Sequence, residues 1–299
     1  MDGARGITET MNMLKFMRII TSIAEMQTAA RELRRGGTLA LVPTMGALHA
    51  GHLSLIDAAK RDCAHVIASI FINPLQFGPN EDFSRYPRTF EADCAALTAA
   101  GVEILFAPSA ETLTPDGATT FIEVAGISDR LDGAHRPGHF RGVATIVAKL
   151  FHVVAPDRAY FGQKDAAQLA VLRAMVRDLN FPVEIVACPI VREPDGLALS
   201  SRNRYLTAEQ CARATILHRS LAAAADLHAQ GERNSQALIA AMMQMLATEP
   251  SVIVEYVAVV DPDTLLPLTE STHGALIAVA ARLGETRLID NHLIGADHA

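Results

Sequence analysis

The sequence predicts an α/β protein: a mostly parallel sheet with helices on both faces, followed by a smaller α+β domain. Three observations lead there. From Arg18 to about Ile190, short β-rich runs alternate with stretches whose apolar residues recur at helical spacing. Beyond the turn Arg192-Glu-Pro-Asp-Gly196, the order changes to two helical stretches and then two β-rich runs. The 299 residues, half of them hydrophobic and a fifth charged, suffice for real cores without disulfide or metal staples.

In chain order, strands are expected at Thr38–Val42, His65–Ile72, Val102–Phe106, Thr119–Val124, Arg158–Phe161 and Val183–Cys188, each a short β-rich run. Helices between them are expected at His52–Asp62, Phe90–Ala100, Gly142–Val153 and Ala166–Leu179. Asn180-Phe-Pro182 stops the last of these, because proline cannot continue a helix. Such alternation favours parallel pairing. A parallel sheet takes its ligand beyond the carboxyl ends of its strands, where strand order reverses. The second domain is expected to hold helices at Ala208–Ala229 and Ser235–Ala247 and strands at Val252–Val260 and Ala275–Ala280. The boundary falls near Pro189–Pro194, giving domains 17–190 and 191–299. Residues 1–16 show no periodicity and read as an N-terminal extension, with Met17 a natural start.

Composition narrows the function classes. A formal net charge of −7 and the absence of interleaved basic and aromatic runs disfavour a nucleic-acid partner. Cys63, Cys94, Cys188 and Cys211 are scattered, with no C-x-x-C pair, and read as reduced thiols rather than a disulfide framework or a zinc site. No apolar run approaches the ~20 residues that span a bilayer. The N-terminal stretch lacks an apolar run followed by a small-residue cleavage site, so a cytoplasmic protein with no membrane partner is the expectation. Among the basic residues only Lys15, Lys60, Lys149 and Lys164 are lysine, which gives each of them weight as a positional choice.

The sharpest segment is Leu39–Lys60, LALVPTMGALHAGHLSLIDAAK. An apolar strand runs into the turn Pro43-Thr-Met-Gly46, and His49-Ala-Gly-His52 opens a helix. Gly46 and Gly51 let backbone come close to a ligand. The unpaired N–H groups of a helix start favour anions. His49 and His52 can meet on one helix face, and each imidazole can donate a hydrogen bond to phosphate oxygen without a fixed charge. A zinc site is the weaker reading, since no third ligand is evident nearby.

Three further segments carry chemistry. In Ser69–Arg88 a strand ends at Asn73-Pro74, and Gln76 in the following loop offers one acceptor and two donors, which suits a small substrate with hydroxyl and carboxylate groups. Asp82, Asp93 and the adjacent acids read as surface charge, with Mg²⁺ held through water as the alternative. In Pro156–Arg177 a strand ends at Phe161-Gly162 and Lys164-Asp165 lead into a helix, so the ammonium can reach phosphate as a point charge. Gln168 lies one helical turn further on. In Arg192–Arg204, Ser200 and Ser201 offer hydroxyls, and Arg202 offers a planar fork for phosphate or carboxylate. That segment opens the second domain, which places it as a lid. Arg136 and His139, just before a helix, either contact substrate or stabilise their loop.

With these segments in this order, the sequence resembles the pantoate–β-alanine ligase family (the pantothenate synthetases) of the wider H-x-G-H nucleotidyltransferase-like superfamily. The matching stretches are PTMGALHAGH, NPLQFGPNEDFSRYPR, RPGHFRGVATIVAKLF, FGQKD and REPDGLALSSRNRYL, and the likeness runs from about Met17 to the C-terminus. The resemblance implies a Rossmann-like N-terminal domain, a smaller C-terminal lid domain and a homodimer. It implies ATP-dependent condensation of (R)-pantoate with β-alanine through a pantoyl adenylate, with Mg²⁺, releasing AMP and pyrophosphate. It implies ATP binding by Met45, Gly46, Ala47, Leu48, His49, Ala50, Gly51 and His52. Gly162, Gln163, Lys164 and Asp165 join them, as do Val191, Leu199, Ser200, Ser201 and Arg202. His52 matches the family's catalytic proton donor. Gln76 matches the residue that touches both pantoate and β-alanine, Gln168 matches a second pantoate contact, and Asn73 is taken with them as substrate-binding. For such a reaction His49, His52, Lys164 and Arg202 are suited to neutralise charge on the leaving pyrophosphate. The Mg²⁺ ligands stay open. Leu199 stands where the family commonly has Met, Ala167 where Gln is usual, and Ala50 where an acidic residue is common; Ala50 is expected to face solvent.

Overall fold

The computed structural model describes residues 17–79 and 81–295; the expected extension at 1–16 lies outside them. The chain opens with β1 (Arg18–Ile20) and α1 (Ile23–Arg34). Ser22 caps α1 by accepting the Glu25 amide, and Met26, Ala29 and Ala30 form its buried stripe. Next come β2 (Leu39–Thr44), α2 (Ala50–Asp62) and β3 (His65–Ile70). A one-turn 3-10 helix at Pro74–Gln76 precedes α3 (Phe90–Ala99), β4 (Ile104–Phe106), α4 (Ala110–Leu113), α5 (Asp132–His135) and α6 (His139–Val154). The layer closes with β5 (Arg158–Gly162), a 3-10 turn at Gln163–Asp165, α7 (Ala166–Asp178) and β6 (Glu184–Cys188).

Six parallel strands pair in the order β1-β4-β3-β2-β5-β6. The chain steps outward from β2 through β3 to β4, then restarts on the other side of β2 with β5. Strand order therefore reverses between β2 and β5, and the crevice beyond their carboxyl ends is the expected ligand position. Leu39, Ala40, Leu41 and Val42 are fully buried, as a central strand covered on both faces requires. One face packs against α1, α6 and α7, with Leu41, Phe106, Phe151 and Leu169 in its core. The other packs against α2 and α3, with Val42, Leu55, Leu97 and Tyr160.

Past β6 the chain makes a tight hairpin at Arg192–Ala198 and a 3-10 helix at Ser201–Tyr205. Three helices follow, α8 (Ala208–Ala214), α9 (Ile216–Ala229) and α10 (Ser235–Leu246). An antiparallel sheet closes the chain, β7 (Val252–Val260), β8 (Ala275–Leu283) and β9 (Thr286–Ile294), in that spatial order. One face of this small sheet meets α9 and α10 through Leu221, Leu238, Met242, Ile277 and Val279. From the other, Val260, Leu265, Leu276 and Ala278 join the core of the large sheet. Among the described residues no helix is long and apolar enough to cross a membrane.

Three expectations need correction. Thr119–Val124 is not a strand but an irregular stretch. The Ile122 amide bonds the Thr145 hydroxyl at 2.9 Å, and Phe121 lies exposed under the Arg141 guanidinium, so its β propensity meets no neighbouring strand. The helix expected at Ala208–Ala229 breaks at Thr215 into α8 and α9. The strand β9, where Arg287, Asp290, Asn291 and His292 interrupt the apolar pattern, is additional, as are β1 and α1.

Candidate active site

The turn after β2 is built so that two imidazoles face one way. Thr44 accepts the Gly46 amide, and Gly46 takes φ +80°, where an added Cβ would press on Asp93 and Ile70. Ala47 follows at φ 51°, an uncommon conformation for a residue with a Cβ. Asp93, on α3 and 3 % exposed, holds this strained turn by accepting the amides of Ala47 and Leu48 at 2.9 Å each. Its carboxylate also takes the Thr89 hydroxyl at 3.1 Å. Asp93 is thus a buried anchor, not the surface charge or water-linked Mg²⁺ ligand read from the sequence.

His49 caps α2: its Nδ1 accepts the Gly51 amide at 3.1 Å, while His52 Nδ1 accepts the His49 amide at 3.4 Å. Gly51 has to lack a side chain, because a Cβ there would sit 2.9 Å from the His49 ring. With both Nδ1 atoms accepting, each neutral ring carries its proton on Nε2. Burial pushes His49 down to about 3, with His52 and Lys164 acting in the same direction. Burial also pushes His52 down to about 4; Asp165 opposes this and Lys164 reinforces it. The pair is therefore two uncharged donors at a helix start, with ring centroids 4.1 Å apart.

Lys164 stands beyond β5, across the strand-order reversal from the histidines. Its nearest carboxylate, Asp165, is 3.8 Å away and half exposed. Lys60 and Lys149 instead spend their ammonium groups on the carbonyls of Ala100 and Leu113. Among the described lysines, Lys164 is the one that lines a cavity of about 610 Å³, walled also by residues of α8, α9 and β9. Asp165, Gln168, Ser200 and Arg202 line it as well. Met45, His49, His52 and Gln76 stand outside its wall. The reason is visible in the second part of the chain: Ser201 donates to the Ala47 carbonyl at 3.0 Å and lays its segment across the histidine turn. Arg202 grips Asp82 with two bonds of 2.9 and 2.8 Å. Burial opposes the Arg202 charge, but that carboxylate more than offsets it, raising the guanidinium pKa and lowering that of Asp82. Val191 and Leu199 face each other across the hairpin, joined by the Leu199 amide and the Val191 carbonyl at 3.0 Å. Ala50 is exposed as expected, and Ala167 is buried in α7.

The loop after β3 carries Gln76 on a fixed frame. Asn73, 2 % exposed, spends its side chain on the Leu75 amide, the Gly142 carbonyl and Gln76 Oε1, the last at 3.0 Å. The Gln76 amide nitrogen reaches Met45 Sδ at 3.0 Å. A Cβ on Gly142 would lie 2.2 Å from the Leu75 carbonyl oxygen, so only glycine lets α6 come this close. His139 Nδ1 donates to the Gln76 carbonyl at 2.8 Å, which leaves Nε2 to accept from Arg136 at 3.0 Å. Burial, and then Arg136, push His139 down to about 4. Glu81 closes the cluster with two bonds to Arg136, at 2.7 and 2.6 Å. Of the two readings open for Arg136 and His139, the geometry supports stabilisation of the loop. The sequence reading missed Asp93, Glu81, Asp132, Arg287 and Asn291 as parts of this frame. An acid in the first turn of a helix was the one available signal for Asp93.

Residues 18–293 match the family model described as pantoate-beta-alanine ligase. The pantothenate synthetase of Acidobacterium capsulatum is 58% identical over 291 residues, covering 93% of this chain and 97% of that protein. That of Koribacter versatilis is 54% identical, covering 94% and 97%. Among solved structures, pantothenate synthetase from Thermus thermophilus superposes with a TM-score of 0.88 at 50% identity, over 92% of this chain and 99% of that one. The pantoate-beta-alanine ligase of Francisella tularensis, complexed with beta-gamma ATP and beta-alanine, gives 0.75 at 34% identity, over 93% and 97%.

Proposed function

The chain belongs to the pantoate-beta-alanine ligase family, and on that premise we propose how it condenses (R)-pantoate with β-alanine, using ATP. The observation that carries the reading is the pair of neutral Nε2–H imidazoles facing Lys164 across the strand-order reversal. A carboxylate at neutral pH is a poor acyl donor. Attack of the pantoate carboxylate on the α-phosphorus of ATP makes a pantoyl adenylate and releases pyrophosphate. The amine of β-alanine then attacks the adenylate carbonyl, giving pantothenate and AMP.

The protein supplies no covalent nucleophile in this scheme. It aligns the acid with phosphorus and neutralises charge on the departing pyrophosphate. His49 and His52 donate from Nε2 and Lys164 supplies a point charge; Arg202 joins by exchanging Asp82 for a phosphoryl oxygen. Gln76, held by Asn73, addresses pantoate and β-alanine, and Gln168 addresses pantoate; Asn73 serves by positioning Gln76. Residues 191–299 act as a lid that keeps the adenylate from water. Mg²⁺ would enter with the nucleotide as part of that substrate and would offset charge on its phosphates. Asp165, half exposed beside Lys164, is a carboxylate that would approach such an ion, as would Asp82 once Arg202 has left it, whereas the oxygens of Asp93 are taken by backbone amides. A cytoplasmic homodimer belongs to the same reading.

An AMP-release assay with ATP, Mg²⁺, pantoate and β-alanine, omitting each in turn, tests it. AMP should require the full set, and pyrophosphate should require pantoate. Pyrophosphate release with a phosphorylated acceptor and not with pantoate would assign another H-x-G-H nucleotidyltransferase reaction; ATP binding with no AMP would mark a silent nucleotide-binding protein.

A further inference from the structure

Strand β9 presents alternate residues to opposite sides. Leu288 enters the core shared with α9 and α10, and Asp290 pairs with Arg192 at 2.6 and 2.9 Å. Arg287 and Asn291, four residues apart and on the other face, point to the large sheet's loops. Asn291 is 3 % exposed, and its amide nitrogen donates to the carbonyls of Gln163 and Lys164 at 3.0 and 2.8 Å. It pairs across the strands with Ala278, which is itself packed into the large sheet's core. Arg287 Nη1 lies 2.6 Å from Asp132 Oδ1, and its Nε donates to Glu255 at 2.7 Å. Tyr256 donates to the other Asp132 oxygen at 3.3 Å.

Each contact ends on a different loop. Gln163 and Lys164 form the turn that carries the Lys164 side chain to the cavity wall. Asp132 starts the short helix leading to Arg136 and His139, which hold the Gln76 carbonyl. Gly133 packs so closely on the Ser128 carbonyl that a Cβ would lie 1.8 Å from its oxygen. Leu131 before it is fixed at φ 49°. Asp132 is thus linked through one short helix and two side chains to the Gln76 carbonyl.

We propose that β9 is a two-point clamp, in which Asn291 positions Lys164 for the nucleotide and Arg287, through Asp132, positions Gln76 for the two organic substrates. Both are positioning residues, since each acts through another residue. The proposal rests on the ligase reading above and adds that one strand of the lid registers both halves of the reaction independently.

The test measures KM for ATP, pantoate and β-alanine, together with kcat, in Asn291→Ala, Arg287→Met and Arg287→Lys, with thermal melts alongside. Asn291→Ala should raise the ATP KM about tenfold and leave the other two within about twofold. Arg287→Met should do the reverse, and Arg287→Lys, which keeps the charge but loses the fork, should recover part of the loss. If Arg287→Met fails to fold, Arg287→Lys and Asn291→Ala still give opposite patterns. Equal shifts in all three KM values, or lower melting temperatures with unchanged kinetics, would overturn the clamp. Wild-type protein that releases no AMP from the three substrates would instead overturn the ligase reading.

Discussion

Asp93 holds Ala47 in a left-handed conformation, taking its amide at 2.9 Å from one side while Ser201 donates to its carbonyl at 3.0 Å from the other. One residue thus ties the histidine turn both to α3 and to the segment that follows β6. Replacing Asp93 by Ala leaves two buried amides without an acceptor, at about 1–3 kcal/mol each. Asp93→Ala should therefore melt earlier and turn over more slowly, with Asp93→Asn between it and wild type. Thermal melts and AMP release check this; unchanged values in both would mean that the turn holds itself.

Removing a single charge-stabilising donor commonly lowers rate by ~10²-fold or more. His52→Ala and Lys164→Ala should each slow adenylate formation by at least that factor, with the melting temperature little changed. Pantoate-dependent pyrophosphate exchange reads the step directly. Near-normal exchange in either variant would remove that residue from the chemistry.

The depressed values of His49, His52 and His139 set two pH signatures. Acid-side kcat/KM, which reports the free enzyme, should show no ionisation near 6.5, because the reactive imidazoles are already neutral there. An inflection at that pH would mean that a protonated histidine carries the reaction. Stability behaves differently. Between the folded values of about 3 to 4 and the unfolded value of 6.5, the unfolded chain binds more protons than the folded one. The contribution of neutral burial is thus fully present above pH 6.5 and is lost as pH falls through that window. Denaturant titrations at pH 7, 6 and 5 measure the slope.

Gln76→Ala should raise the KM for pantoate and β-alanine about tenfold or more and leave that for ATP unchanged. Gly142→Ala should give the same pattern with the Gln76 side chain unchanged, since its Cβ would press on the Leu75 carbonyl and the Gln76 amide and displace that loop. Steady-state kinetics on both variants decide; a weakened ATP KM alone would place Gln76 in the wrong pocket.

Much of this was readable from the sequence because it depends on local spacing. The strand running into PTMGALHAGH, the Lys164-Asp165 turn and the proline stop after α7 each encode their geometry within a few residues. What escaped depends on contacts distant in the chain. Arg287 and Asn291 look like surface residues in a broken apolar pattern until Asp132 and the Lys164 turn are brought against them. Asp93 looks like ordinary helix-start acidity until it is buried under the β2 turn, 45 residues before it. Thr119–Val124 failed in the opposite sense, having strand composition but pairing with no strand.

Val260, Leu265, Leu276 and Ala278 join the small sheet to the large one along a buried apolar seam. The two sheets therefore share one apolar core rather than meeting only through a tether. The same seam makes the halves thermodynamic dependants of each other: calorimetry should record a single melting peak, and a fragment ending at residue 190 would bare the seam to water and aggregate.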